Sequence, residues 1–477
     1  MNRIAIINVV GLTESHLGEH TPHITAYANS TSVSSLTPPL PAVTCTVQSS
    51  MLTGTSPAQH GIVANGWHER NSKETFFWRQ ANSLVEGEPV WDALKAANPT
   101  ATVANICWWF NMYSSVDYAV TPRPMYPADG RKLPDIWTNP SSLRESLQQQ
   151  LGPFPLFKFW GPTAGIESSK WIANAAIEVD REYSPTLSFV YLPHLDYPLQ
   201  KLGPNHEEIP RELGAIDQVV GSLIRHYAKQ NIDVCILSEY GIEEVNDAIA
   251  INKVLRQHNL LAIRQECNKE YLDAGASDAF AVPDHQVAHV YVRNTEQVEQ
   301  VARILQEIEG IEFVYSGDER EELVHERSGE IIVVAEQDKW FSHDWWIEES
   351  RAPDYQGTVD IHRKPGYDPR ELCLASGWRG SVSRMAMKLL LKKLGQRTLF
   401  DVITLDPTRV KGSHGRTPSM GAPSPILIAP QCAKKIPQSL PSAVLKNLCL
   451  EWVSCSQSYS YLSSREPDPS CLQHHRC

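Results

Sequence analysis

Long apolar runs are missing from this chain. Nowhere in its 477 residues do uncharged apolar side chains continue for the ~20 positions that a membrane helix needs. The run Ile4–Val10, straight after Met1-Asn2-Arg3, is too short for a secretory h-region and ends in a turn at Gly11. The expectation is a cytoplasmic protein with no membrane span. Basic clusters are missing too. Lys and Arg total 43 against 55 Asp and Glu, for a net charge of −12. Without a basic footprint, a nucleic-acid polymer is excluded as the expected partner. No CxxC pair occurs, which removes the usual thiolate zinc sites. Five of the ten cysteines lie at or after Cys432; Cys45, Cys107, Cys235, Cys267 and Cys373 are scattered. Those in the body read as small buried hydrophobes in a reducing compartment.

What is present is a globular composition. Hydrophobic residues make up 42% and charged residues 21%, enough to bury a core. Strand-like runs at Ile4–Val10, Thr102–Cys107, Thr186–Leu192, Asp233–Ser238, Ala288–Val292 and Ile331–Ala335 are largely continuous and β-branched. Such runs suit parallel strands covered on both faces. Amphipathic stretches alternate with them: Glu88–Ala97, Leu143–Leu151, Lys170–Glu182 and Arg211–Lys229. The expected fold is α/β, a central mostly parallel sheet with helices on both faces. A compact β-α-β piece at about 280–327 reads as a small inserted lobe. The main domain is set at 1–428. From Ala429 the chain turns rich in Ser, Pro, Cys and Gln, and 429–477 is expected to be a poorly packed tail with one weak helix near Ala443–Trp452.

One block stands out for chemistry. Pro38-Pro39-Leu40-Pro41 holds an extended approach to Thr44, where a helix can begin. Backbone N–H groups at such a helix end favour an anion. A threonine hydroxyl there has two readings. It can cap the helix, or it can attack an electrophile once activated.

The block Thr44…Thr53-Gly54, then Pro57-Ala58-Gln59-His60-Gly61-Ile62 and Asn65, resembles the nucleophile region of the alkaline phosphatase superfamily. It is most similar to the type I phosphodiesterase/nucleotide pyrophosphatase branch and the related phosphonoacetate hydrolases. The resemblance spans roughly residues 3–428. It implies a phosphatase-like sheet, Thr44 as a covalent nucleophile at a two-metal centre, and Asn65 donating to a phosphoryl oxygen. The local reading of Asn65, a turn residue before Gly66, stands beside that. His60 reads as structural, shaping the turn before Gly61.

The ligands that the resemblance implies are only partly present. Val10 stands where the family has an aspartate, Gln200 where it has a histidine, and Tyr240 replaces a second histidine. Val47 replaces an asparagine. Asp196, Glu239 and His414 remain as ligand types, and Tyr240 can still donate a hydrogen bond to a phosphoryl oxygen. Two further pairs offer compensation, His194 with Asp196 and Asp360 with His362. Each pair has a two-residue offset that would aim both side chains the same way on a strand. A rebuilt centre of His194, Asp196, Glu239, Asp360, His362 and His414 would suit a divalent ion, zinc first, with manganese or magnesium as alternatives. Arg363 and Lys364 are candidates to hold phosphate oxygens. The aromatic stretches Trp108-Trp109-Phe110 and Trp340–Trp346 read chiefly as core, with a pocket wall as the second reading.

The expected function is metal-dependent hydrolysis of a small phosphorylated substrate, a phosphodiester or nucleotide pyrophosphate, by Thr44. The altered ligands keep two alternatives in view. One is an inactive relative that binds a phosphorylated metabolite or a partner. The other is a transferase or mutase using the same phospho-threonine chemistry.

Overall fold

The computed structural model describes residues 1–128, 131–375, 378–396, 398–433 and 435–454. Its centre is a nine-stranded sheet in the order Ser439–Pro441, Val33–Thr37, Ile426–Ile428, Asp233–Leu237, Ile4–Val9, Leu187–Leu192, Val103–Ile106, Tyr118–Pro122, Ile136–Asn139. The five strands from Asp233–Leu237 to Tyr118–Pro122 run parallel. Ile426–Ile428 and Ile136–Asn139 flank them antiparallel. Every residue of Ile4–Val9 and Leu187–Leu192 is buried, as sandwiched parallel strands require.

Helix Ile209–Lys229 buries Leu213, Ile216, Val220, Leu223 and Tyr227 along one stripe. It packs on Ile166–Tyr183, which lies against strand Leu187–Leu192. No helix among the described residues is long and apolar enough to cross a membrane.

Three expectations change. Ile331–Ala335 belongs to a separate four-stranded sheet, Ala279–Asp284, Val287–Val292, Ile331–Ala335, Ile311–Ser316, and not to the main one. All its ladders are antiparallel, so Val287–Val292 and Ile311–Ser316 run the same way with Ile331–Ala335 between them. The β-α-β piece is therefore split by a strand from outside the 280–327 span. The core around this sheet also reaches further, from Ile249 to Tyr367.

The third change concerns the tail. Residues 439–441 extend the main sheet by pairing with Val33–Thr37. Helix Leu445–Ser454 buries Leu445, Leu448, Cys449 and Trp452 in the main core. Their i, i+3, i+4, i+7 spacing makes an apolar stripe that the overall Ser/Pro-rich composition masks. The poorly packed tail is thus corrected as far as Ser454; residues 455–477 lie outside the described residues.

Candidate active site

The site is built where three central parallel strands end. Asp233–Leu237, Ile4–Val9 and Leu187–Leu192 are neighbours, and the turns after them carry Glu239-Tyr240, Val10-Gly11 and Asp196. Carboxyl ends of adjacent parallel strands are the usual crevice in open α/β sheets. Gly11 adopts a left-handed φ of 82°, and a Cβ there would lie 3.1 Å from Leu199, so glycine lets this turn sit against the Asp196 helix.

Helix Thr44–Thr53 enters from an extended Val43 and stops at Gly54, whose φ of 72° is left-handed. All ten of its residues are buried. Thr44 is the first helical residue, not the cap. Its hydroxyl lies 3.1 Å from the Tyr240 hydroxyl. The capping reading of Thr44 is thereby excluded. The first N–H groups of a helix have no intrahelical acceptor. Cys45 N–H donates to Asn65 Oδ1 at 2.9 Å. Asn65 in turn donates its own N–H and its amide to Asp284, at 2.7 and 3.0 Å. One amide hydrogen of Asn65 is thus already committed, and the residue braces the helix end. His60 accepts from Ile62 N–H at 3.1 Å and faces Ser50 at 2.9 Å, which fixes the turn as the sequence indicated.

On the other side of Thr44 runs a chain of hydrogen bonds. Tyr240 donates to Asp196 Oδ1 at 3.2 Å. Gln200 donates to Asp196 Oδ2 at 2.6 Å, and Tyr367 donates to Gln200 at 3.1 Å. Burial pushes the Asp196 carboxyl up to about 7, against the hydrogen bonds from Tyr240 and Gln200. Glu239 Oε1 accepts from both Asn8 and Gln48, each at 2.5 Å. Burial drives that carboxyl up to about 8 despite the two amides.

Four rings are stacked beside this chain. Tyr240 lies flat on His414 at 3.6 Å and 8°; His414 meets His285 at 3.6 Å, and His285 meets Tyr367 at 3.7 Å. His414 Nδ1 is 2.8 Å from the Ala42 carbonyl. That contact needs the proton on Nδ1, leaving a lone pair on Nε2. Burial pushes His414 down to about 3, so the ring is neutral.

Only part of the anticipated centre assembles. Thr44, Asp196, Glu239, Tyr240 and His414 converge. His194 does not: the strand ends at Leu192, Asp196 opens a helix, and the same-face argument fails. His194 pairs with Glu212 at 2.9 Å. Asp360 N–H bonds Glu371, and its carboxylate lies 3.9 Å from Arg363. His362 is exposed, its Nδ1 3.3 Å from the Phe77 carbonyl. Arg363 is exposed over the Tyr355 ring. Lys364 is buried between Asp368 and Glu371, at 2.9 and 2.8 Å. Neither cation is therefore placed to take phosphate oxygens. The six-residue rebuilt centre is corrected accordingly. Among the described residues, no three His, Cys, Asp or Glu side chains converge as a metal site.

The family's two-ion centre does not fit these residues. A single-ion remnant does. His414 Nε2 is buried without a hydrogen-bond partner, 3.9 Å from Asp196 Oδ1. A neutral imidazole anchored through its other nitrogen to a carbonyl is the arrangement metal-ligating histidines use.

Five contributors were not singled out from the sequence: Asn8, Gln48, Asp284, His285 and Tyr367. Asn8 had a signal, being the one polar residue in an apolar strand. Gln48 had another, lying one helical turn from Thr44 on the same face. Asp284 and His285 sit in a hairpin turn distant in sequence, and His285 holds a left-handed φ of 63°.

The Trp108, Trp340, Trp345 and Trp346 rings are buried in the cores, as the core reading had it.

Comparison with known proteins agrees with this geometry. The structure is similar to murine ectonucleotide pyrophosphatase/phosphodiesterase 5, in an inactive threonine-to-alanine form complexed with AMP. That match has a TM-score of 0.58 and 14% identity, and covers 96% of each chain. Phosphonoacetate hydrolase from Sinorhizobium meliloti 1021, in complex with phosphonoformate, matches with a TM-score of 0.60 at 13% identity, over 95% of this chain and 96% of that one. At these identities the likeness is one of fold. A curated relative is an uncharacterized pyrophosphatase/phosphodiesterase of Schizosaccharomyces pombe, 25% identical over 260 residues. The matched stretch spans 51% of this chain and 45% of that relative. The family model for type I phosphodiesterase / nucleotide pyrophosphatase matches residues 4–368. The chain belongs to the type I phosphodiesterase/nucleotide pyrophosphatase family of hydrolases.

Proposed function

We propose that this chain hydrolyses phosphoric esters of small molecules, with Thr44 as the attacking group. One observation carries the reading. The Thr44 hydroxyl stands at the amino end of a buried helix and is hydrogen-bonded to Tyr240, with no capping duty. The helix end favours the phosphoryl anion, and its outermost N–H groups suit the developing charge. In the step, Thr44 Oγ bonds to phosphorus and the opposite ester oxygen leaves with its electron pair. The Thr44 proton passes to Tyr240 as Tyr240 passes its own to Asp196. Water then cleaves the phospho-threonine and restores the hydroxyl. Asp196, raised to about 7, is poised to exchange a proton near neutral pH.

Asp196 and His414 would hold a divalent ion, zinc by ligand type with manganese or magnesium as alternatives. Bound there, it would supply positive charge to the developing anion. The structural neighbour inactivated by a threonine-to-alanine change supports a threonine nucleophile here. The seven described cysteines are free thiols, which supports the cytoplasmic setting.

A second reading, a relative that binds a phosphorylated metabolite without turnover, is favoured by Val10, Gln200 and Tyr240 at ligand positions. Hydrolysis of an activated phosphodiester by the wild type and by Thr44→Ala separates the two. Metal-responsive turnover lost in the variant supports the enzyme. No turnover from folded wild type transfers the weight to the binder.

A further inference from the structure

We propose that Tyr240 stands in for the second metal ion of the family, so that this centre takes one divalent cation and not two. The inference rests on the site reading above, but not on turnover.

Two carboxylates flank the Tyr240 hydroxyl. On one side Asp196 lies 3.9 Å from the bare Nε2 of His414. A carboxylate oxygen and an imidazole lone pair are there for one cation. On the other side Glu239 has no histidine and no second carboxylate. Its Oε1 takes two amide hydrogens, from Asn8 and Gln48. Gln48 is itself fixed, accepting from Trp109 N–H at 2.7 Å. Val10, nearest along the first strand, is fully buried in the apolar core. Amide donors occupy the space beside Glu239 where a cation would need acceptors.

Tyr240 does the positioning that such a cation would do for Thr44. Its hydroxyl reaches Thr44 at 3.1 Å and Asp196 at 3.2 Å. Its ring cannot swing away easily, because six side chains close a circuit around it. The stack runs from Tyr240 through His414 and His285 to Tyr367. Hydrogen bonds return from Tyr367 through Gln200 and Asp196 to Tyr240. A neutral phenol gives direction without charge, so it can replace an ion's geometry while leaving room for only one charge in the centre.

The test is a count of metal. The full chain and His414→Ala are equilibrated with excess zinc, desalted and analysed for zinc per chain. Subtracting the variant removes surface-bound zinc. The expected difference is one equivalent. A difference of two, or of none, overturns the proposal. Tyr240→Phe should keep the same equivalent while turnover falls, because the phenol is not a ligand; loss of the zinc in that variant overturns the assignment. Val10→Asp with Tyr240→His restores a carboxylate and an imidazole beside Glu239, and a folded double variant should gain one equivalent. The wild-type difference decides the matter even where that double variant misfolds. Turnover is measured separately, so an inactive protein holding one zinc would sink the hydrolase reading and leave this one standing.

Discussion

The two sides of Thr44 were built differently. The anion-facing side comes from one stretch of chain, residues 38–66: the proline approach, the helix start, the His60 turn and Asn65. Its working groups are backbone N–H donors, and the side chains brace them. The opposite side draws on five separate segments, supplying Asn8, Asp196 with Gln200, Glu239 with Tyr240, His285 and His414. Its working groups are side chains. Backbone donors persist as long as the helix and its turn form. Side-chain ligands are exchanged one at a time, and here three of the family's positions hold Val10, Gln200 and Tyr240. The lesson is that an anion site can outlast the metal centre it served.

That contrast can be broken from either side. The largest effect belongs to Thr44→Ala. It should lower turnover of an activated phosphodiester roughly a thousandfold or more, the scale of losing a nucleophile, with circular dichroism unchanged.

Next comes the brace. Asp284→Ala strips Asn65 of two acceptor contacts inside the core. Buried donors left unpaired cost about 1–3 kcal/mol each. Urea denaturation should show about 2–4 kcal/mol lost, and an unchanged midpoint would refute the bracing role.

Tyr240→Phe keeps the ring stack and removes only the hydroxyl. The kcat should fall roughly a hundredfold, in the range of one lost general-acid/base or oxyanion contact, with KM little changed. A rise in KM alone would assign Tyr240 to substrate binding instead.

A gentler probe is pH. Asp196 must be ionised to accept the proton, and burial has raised it to about 7. The ionised fraction grows as pH rises through that value, so kcat should increase about tenfold from pH 6 to pH 8. A rate falling over that range would exclude Asp196 as the acceptor. The smallest effect is expected outside the comparison, at exposed Arg363. Arg363→Ala should alter turnover less than about twofold and stability within about 0.5 kcal/mol.

Several features were legible before any fold was known. The central strands and the long helices came from apolar periodicity, because both faces of a parallel sheet and one face of each helix must be covered. The misses share a cause. Asp360 and His362 carried the right chemistry at a suggestive spacing, yet their contacts are with Glu371, Arg363 and the Phe77 carbonyl. Lys364 was read as a phosphate ligand, yet it neutralises two buried carboxylates. Residue type alone does not say where a loop will deliver a side chain.

The sequence by itself determined the α/β class, the helix that begins at Thr44 and the loss of three family ligands. These are local: a periodicity, a proline-led turn, a residue at a position. Only the tertiary structure decided that Tyr240 reaches Thr44, that Asn8 and Gln48 occupy Glu239, and that His285 and Tyr367 close the stack. Those contacts join residues far apart in the chain, and packing around strand ends, not spacing in sequence, sets which of them meet.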